Sequence, residues 1–482
     1  MAHTESVTAD TPQTRNEFSG TSDGSVVQVG TVNGGIHYRE KPTVDDIGAL
    51  SLAGAAKELA ERHPKVVVAQ LARVDVIFAT RVIERLGMDQ AVSLVTWMNA
   101  DRLSLVLEQM TPDRAKILRD AAQAELTIEA SAGEWDRLLG DPTGELCSTG
   151  PSPRGSLGYS RAYRHGVVYW NTESGVGMVS TDIADYYESQ RGVSASLGFA
   201  IGSWTEAARS DFGATGHFQR FESVGDFEAT VYCSDQHGTF TTWDRIGEYY
   251  EATGGTWGPL GFPVSEERRF EEFWSTLTEN KCPQQGAYWQ QFEGGQVFWS
   301  EKSGALRIPK AVADTYNDWP IQLGLPLEDP RPAVTSSFGT EGTLQSFARG
   351  VTYTSAPFGT VIMRGLISTY FDSQGGLGGV FGLPKSDLQS TRPARASGIV
   401  QHFEGGLIFS RHEHGAIGVI GPIAAALGVV PKLPDQLGLP TGSERRIGFG
   451  PDVIQFFDGG IMTVVNGKVE RWIRPTDQQP PS

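Results

Sequence analysis

Leu260-Gly261-Phe262-Pro263 is a short phrase that the chain says, with variations, five more times. Clean copies are Leu323-Gly324-Leu325-Pro326, Phe381-Gly382-Leu383-Pro384 and Leu437-Gly438-Leu439-Pro440. Two degraded copies, Leu139-Gly140-Asp141-Pro142 and Leu197-Gly198-Phe199-Ala200, precede them. The copies start at residues 139, 197, 260, 323, 381 and 437, so the period stays between 56 and 63 residues. A fixed period of this length is the mark of a repeat architecture. Residues 139–473 therefore read as one module used six times.

Within a module the phrase is a turn, because Pro fixes φ and Gly tolerates the bend. A hairpin follows, best seen in Trp289-Gln290-Gln291-Phe292-Glu293-Gly294-Gly295-Gln296-Val297-Phe298-Trp299. Its Gly-Gly pair separates two short alternating strands. Parallel phrases are Phe403-Glu404-Gly405-Gly406 and Phe456-Phe457-Asp458-Gly459-Gly460. A short amphipathic helix closes each module but the last, as in Ile183-Ala184-Asp185-Tyr186-Tyr187 and Ile246-Gly247-Glu248-Tyr249-Tyr250. Modules this small cannot bury their apolar faces alone, so neighbours must stack. The expected fold is mainly β, a pseudo-symmetric propeller-like ring of five to six repeats, since closure removes both unpaired ends.

These phrases resemble those of the LGFP repeat family, found in actinobacteria in tandem behind mycolyltransferases and other cell-envelope enzymes. The resemblance implies a ring that binds envelope glycans, and hence a saccharide or envelope-derived fragment as ligand. The aromatics at hairpin positions that could stack on a sugar are Tyr169, Trp170, Trp289, Phe298 and Trp299. Alternation sends about half of a strand's residues inward, so core packing is the competing fate of each. Trp204, Trp274 and Trp319 lie in less regular segments and could line a mouth.

Upstream of the array the composition changes twice. Residues 1–40 begin as a polar arm expected to be disordered. It leads to Ser25-Val26-Val27-Gln28-Val29-Gly30, then an Asn33-Gly34-Gly35 turn signal and Ile36-His37-Tyr38. This reads either as a docked hairpin or as a segment able to stack in cross-β fashion. Val26, Val27, Gln28, Val29 and Gly30 resemble the core of RHIM-type and bacterial amyloid signalling motifs, and the tag resembles one on actinobacterial signalling proteins. That resemblance implies an effector protein carrying a matching motif, as in bacterial immunity, and homo-oligomers formed through the same segment.

Residues 41–125 are rich in Ala, Leu, Val, Glu and Arg and read as a helical adaptor domain. A first helix is expected from Thr43 to about Arg62, and a clear start stands at Thr111-Pro112-Asp113. Val95-x-x-Met98 and Leu107-x-x-Met110 recur after twelve residues, which suggests short helices stacked in antiparallel pairs with Trp97 in their core. The spacing resembles the cytoplasmic helical domain of some magnesium transporters. Residues 126–138 read as a linker, and 474–482 as a tail.

The formal net charge of −17 opposes nucleic-acid partners, for no basic stripe offsets it. No apolar run is long enough to span a bilayer and no export signal is visible, so a cytoplasmic protein is expected. Cys147, Cys233 and Cys282 form neither a disulfide framework nor a zinc spacing and read as inert thiols. Gly20-Thr21-Ser22-Asp23-Gly24 lacks the strand and helix that a nucleophile elbow needs. His402, His412 and His414 make the best metal-like group, but at a hairpin tip they read as solvated. Glu266-Glu267 and Glu271-Glu272 read as solvated faces. No catalytic constellation, metal site or cofactor is expected. The expected function is non-enzymatic recognition coupled to signalling; the alternative is a plain glycan-binding or cell-wall-binding protein.

Overall fold

In a computed structural model the chain is described over residues 47–473, apart from 225–227, 283, 392–397, 412–414, 430–436 and 449. The amyloid-like segment 25–38, the pair His412 and His414, and the tail lie outside the described residues.

Each of the six modules folds as a four-stranded antiparallel meander followed, in the first five, by a helix. In unit three the strands are Arg268–Arg269, Tyr288–Phe292, Gly295–Ser300 and Gly304–Pro309, and the helix is Lys310–Thr315. The hairpin turns at Gly-Gly with Phe292 opposite Gly295. The phrase that opens each unit is fixed by its backbone. All six glycines, from Gly140 to Gly438, adopt φ between 64° and 74°. Only a residue without Cβ holds that conformation cheaply, and at Gly261 a Cβ would run into the Glu293 carboxylate. The following Pro bridges the aromatic that ends the second strand, as in Pro263 with Phe292 and Pro384 with Phe403.

No sheet closes on itself. The first two units join into one eight-stranded sheet by a short parallel pairing of Gly177–Met178 with Gly202–Ser203, and the other four sheets stay separate. No strand pairing among the described residues joins unit six to unit one. Closure of the expected propeller-like ring is thus not shown by strand pairing. Units two apart nevertheless touch. Tyr186 of unit one donates to Glu266 of unit three at 2.8 Å. Tyr249 of unit two reaches Asp329 of unit four at 2.9 Å, and Tyr316 of unit three reaches Asp387 of unit five at 2.6 Å.

Units two to six are stapled each to the next by one residue type that the sequence reading passed over. Gln290, Gln345, Gln401 and Gln455 stand two residues before the strand-ending aromatic and are at most 1 % exposed. Each amide nitrogen donates to two carbonyls, one on the preceding unit and one behind its own opening phrase. For Gln290 these are Thr241 at 2.8 Å and Ser265 at 2.9 Å. For Gln401 they are Ile362 at 2.8 Å and Ser386 at 2.9 Å. Both partners are acceptors, so the amide orientation is dictated and a donor is obligatory.

Arg161 fills this position in unit one. With no earlier unit to hold, its guanidinium turns to the helical domain and meets Glu125 at 2.5 Å. Glu125 lies on the long helix Pro112–Glu134, which also accepts the Tyr159 hydroxyl at the Ile117 carbonyl at 2.6 Å. One hydrophobic core runs unbroken from Ile47 through Leu118 and Ile128 into Val168 and Met178. The helical domain therefore covers the open first face of the array, as terminal caps do in solenoids.

Four sequence expectations change here. The stretch 126–138 is not a loose linker, since the helix beginning at Pro112 continues to Glu134. The first α-helix among the described residues is Leu52–Leu59, capped by Ser51, so no single helix runs through to Arg62; Thr43 lies outside the described residues. Helices pack mainly on the next but one rather than in adjacent pairs, although Ala100–Glu108 also touches the adjacent Pro112–Glu134. Every twelve residues a side chain, Gln90, Arg102 or Arg114, donates to carbonyls ending an earlier helix. Trp97, expected in the core, instead caps the end of its helix 44 % exposed, with the Lys65 ammonium over its ring. No helix among the described residues is long and apolar enough to cross a membrane.

Candidate functional site

The seam between units leaves a cleft where the last strand of one unit runs into its helix. Between units two and three this cleft measures about 470 Å³. Trp243 and Arg245 line it from unit two, and Glu267, Tyr288 and Trp299 from unit three. Tyr288 and Trp299 are cross-strand partners with ring centroids 6.0 Å apart at 44°. Side chains opposite each other on one face of a sheet pack together, so the pair forms a continuous aromatic wall. Trp243 and Asp244 begin the helix that follows, and Asp244 has φ of +37°. Across the cleft Ser223 has φ of +48°. Two non-glycine residues in the left-handed region on one cleft are backbone strain of the kind found around ligand sites.

Of the aromatics expected to meet a sugar, only Trp299 reaches this surface. Phe298 is fully buried, and Tyr169, Trp170 and Trp289 are at most 7 % exposed. Tyr169 meets Tyr187 edge-on and donates to Glu188 at 3.0 Å. Trp170 packs near Tyr159, and Trp289 lies 4.5 Å from Phe273. None of those four rings offers an open face. Trp274 and Trp319 are likewise core, and Trp204 packs beside His217 at 5.1 Å. Sequence reasoning missed Trp243 and Tyr288. Aligning the units on their Pro residues and buried Gln would have found them. The same alignment puts Arg364, Leu388, Ile399 and Ser410 at the places of Trp243, Glu267, Tyr288 and Trp299 in the cleft between units four and five.

Glu266 and Glu267 are not a solvated pair. Glu266 accepts the Tyr186 hydroxyl and the Thr241 amide, and desolvation pushes its carboxyl up. Burial, with Asp244 and Glu266 adding repulsion, pushes the Glu267 carboxyl up from the ordinary 4.5 to about 8. A neutral Glu267 would be a donor as well as an acceptor in the cleft. Its raised folded value means the folded chain keeps a proton that the unfolded chain has lost between these two pH values. That contribution to stability is complete at low pH and is lost as pH rises towards about 8. We expect Glu267→Gln to flatten the fall, on the order of 2 kcal/mol after discounting for partial solvent screening, in urea unfolding across that window. An unchanged pH slope in the variant would contradict this. Glu271 and Glu272 occupy the first turn of a helix, Phe270–Leu277, and Glu271 accepts the Gly286 amide at 2.6 Å.

The LGFP repeat family matches residues 260–320, nearly all of unit three. No curated protein matches the chain. Among solved structures, the chain is similar to a catalytically inactive virginiamycin B lyase from Staphylococcus aureus, at 8% identity and a TM-score of 0.09 over 69% of this chain and 89% of that one. It is similar to PorZ of the type-IX secretion system of Porphyromonas gingivalis, at 8% identity and a TM-score of 0.11 over 67% and 38%. A third is the extracellular domain of a one component system from B. thetaiotaomicron, at 10% identity and a TM-score of 0.11 over 68% and 43%. Overlaps this low leave the architecture to be read from the chain itself. The match shows an LGFP repeat at residues 260–320 of a repeat-containing chain whose sheets make it β-rich.

Proposed function

We propose that this is a non-enzymatic recognition protein whose repeat array curves into a propeller-like arc and binds a saccharide or envelope-derived glycan in the cleft between units two and three. The observation that carries the reading is the wall of Trp299, Tyr288 and Trp243 beside Glu267 and Arg245. Aromatic faces cover the apolar side of a sugar ring, while carboxyl and guanidinium groups serve its hydroxyls. The LGFP unit supplies a second support, since it supplies most of that wall. A glycan array followed by calorimetry on the best ligand tests it. Trp299→Ala and Trp243→Ala should each weaken binding by about 2 kcal/mol, close to thirtyfold, with melting temperature kept. Equal affinity in both variants would remove the cleft from consideration.

The same proposal assigns signalling to the N-terminus. Occupied arrays would bring chains together inside the cell, and Val26–Gly30 would template cross-β contacts with an effector. A peptide spanning residues 20–40 should form thioflavin-positive fibrils that Gln28→Asp abolishes. If that peptide stays monomeric, the plain glycan-binding reading stands alone.

A further inference from the structure

We propose that the seam between units one and two binds a divalent transition-metal ion of the zinc class through Asp182, His217 and Cys233. One donor atom from each, a carboxylate oxygen, an imidazole nitrogen and a thiol sulfur, lies within 4.8 Å of the other two.

The convergence follows from the register of the fold. Counting from the shared landmarks of each unit, Asp182, His217 and Cys233 stand where the next seam has Arg245, Tyr288 and Trp299. In the seams between units two and three and between units four and five these three positions line one cleft, and in the first seam all three are metal donors. His217 and Cys233 are cross-strand partners on neighbouring strands, Gly216–Phe221 and Ala229–Ser234, so their side chains share a face. Asp182 approaches from the first turn of the helix Thr181–Ser189. It is exposed, and so is the ligand with most freedom to close on an ion.

The surroundings fit the same role. Ser180 Oγ meets His217 Nε2 at 2.7 Å, and Trp204 walls the ring. An outer hydrogen bond to one ring nitrogen, leaving the other for the metal, is how protein sites orient imidazole ligands. The depression, about 490 Å³, is lined also by Asp185 and Asp235 and by no Lys or Arg. Its field therefore favours a cation. A mixed sulfur, nitrogen and oxygen set suits zinc and its neighbours, whereas calcium and magnesium take oxygen alone. Binding releases the thiol proton of Cys233 to solvent. Three protein ligands leave a fourth tetrahedral position for water or for a donor atom of a ligand. No compact motif announces the set, because the donors come from a helix and two strands spread over fifty residues of sequence.

Chelator-treated full-length chain should take up one zinc ion in competition with a chromophoric chelator. Its cobalt form should show a sulfur-to-metal charge-transfer band, which Cys233→Ser removes while Cys147→Ser and Cys282→Ser keep it. Asp182→Asn and His217→Gln should each weaken zinc binding by at least about tenfold, with circular dichroism unchanged. Failure of the chain to hold zinc against the chelator would overturn the assignment. So would wild-type affinity and an unaltered cobalt spectrum in Cys233→Ser.

Discussion

Arg161→Ala is expected to lower the unfolding free energy by about 3–5 kcal/mol, the largest effect of any single substitution discussed. The Arg161 and Glu125 side chains are only 13 % and 11 % exposed, and Glu129 adds a second carboxylate 3.7 Å away. Burial pushes the Glu125 carboxyl up, and the guanidinium opposes that push. Without Arg161 an acid remains buried beside Glu129 with no cation to answer it. It can escape by taking up a proton, so the loss should shrink at low pH. Removing both charges together tests the cause. Arg161→Met with Glu125→Leu should recover most of the stability, since an apolar pair of similar volume replaces a buried ion pair with little penalty. Denaturant unfolding of the three chains measures this. A single-variant loss under about 1 kcal/mol would mean that the helical domain does not depend on this contact to cap the array.

Gln290→Glu is expected to lower stability by about 3 kcal/mol, although the two side chains have nearly the same shape. The amide serves carbonyls on both sides of a seam, at Thr241 and Ser265. A carboxylate offers them no proton. Two buried carbonyls would lose their donor, each at about 1–3 kcal/mol, and a charge would enter a site with no exposure. Protonation restores one of the two bonds, so the defect should be milder in acid. Urea unfolding at two pH values checks both points. Stability within about 0.5 kcal/mol of the parent would show that the seams do not rest on these residues.

The parts of the fold legible in the sequence are those where one residue type has one backbone meaning. Gly before an apolar residue and Pro marks a left-handed turn, and all six copies take it. Gly-Gly between alternating strands marks a hairpin, and Phe292 pairs with Gly295 as expected. Thr111-Pro112-Asp113 marks a helix start, and the helix begins at Pro112. What stayed hidden depends on neighbours. A lone Gln on a strand reads as solvent-facing until another unit buries it, and Glu266-Glu267 reads as a wet face for the same reason. Alternation tells which aromatics share a side but not which side is covered, so Tyr169, Trp170, Trp289 and Phe298 were indistinguishable from Trp299. Trp243 sits at a strand-to-helix junction, outside any hairpin phrase. Closure could not be read either, because periodicity fixes how units follow one another and not whether the last meets the first.

The assignment of recognition to the cleft, and not to the hairpin aromatics at large, is tested most directly by indole-labelled NMR during titration with a bound envelope saccharide. The signals of Trp243 and Trp299 should move while those of Trp170, Trp274, Trp289 and Trp319 stay in place. Shifts confined to other indoles, with Trp243 and Trp299 unmoved at saturation, would contradict it.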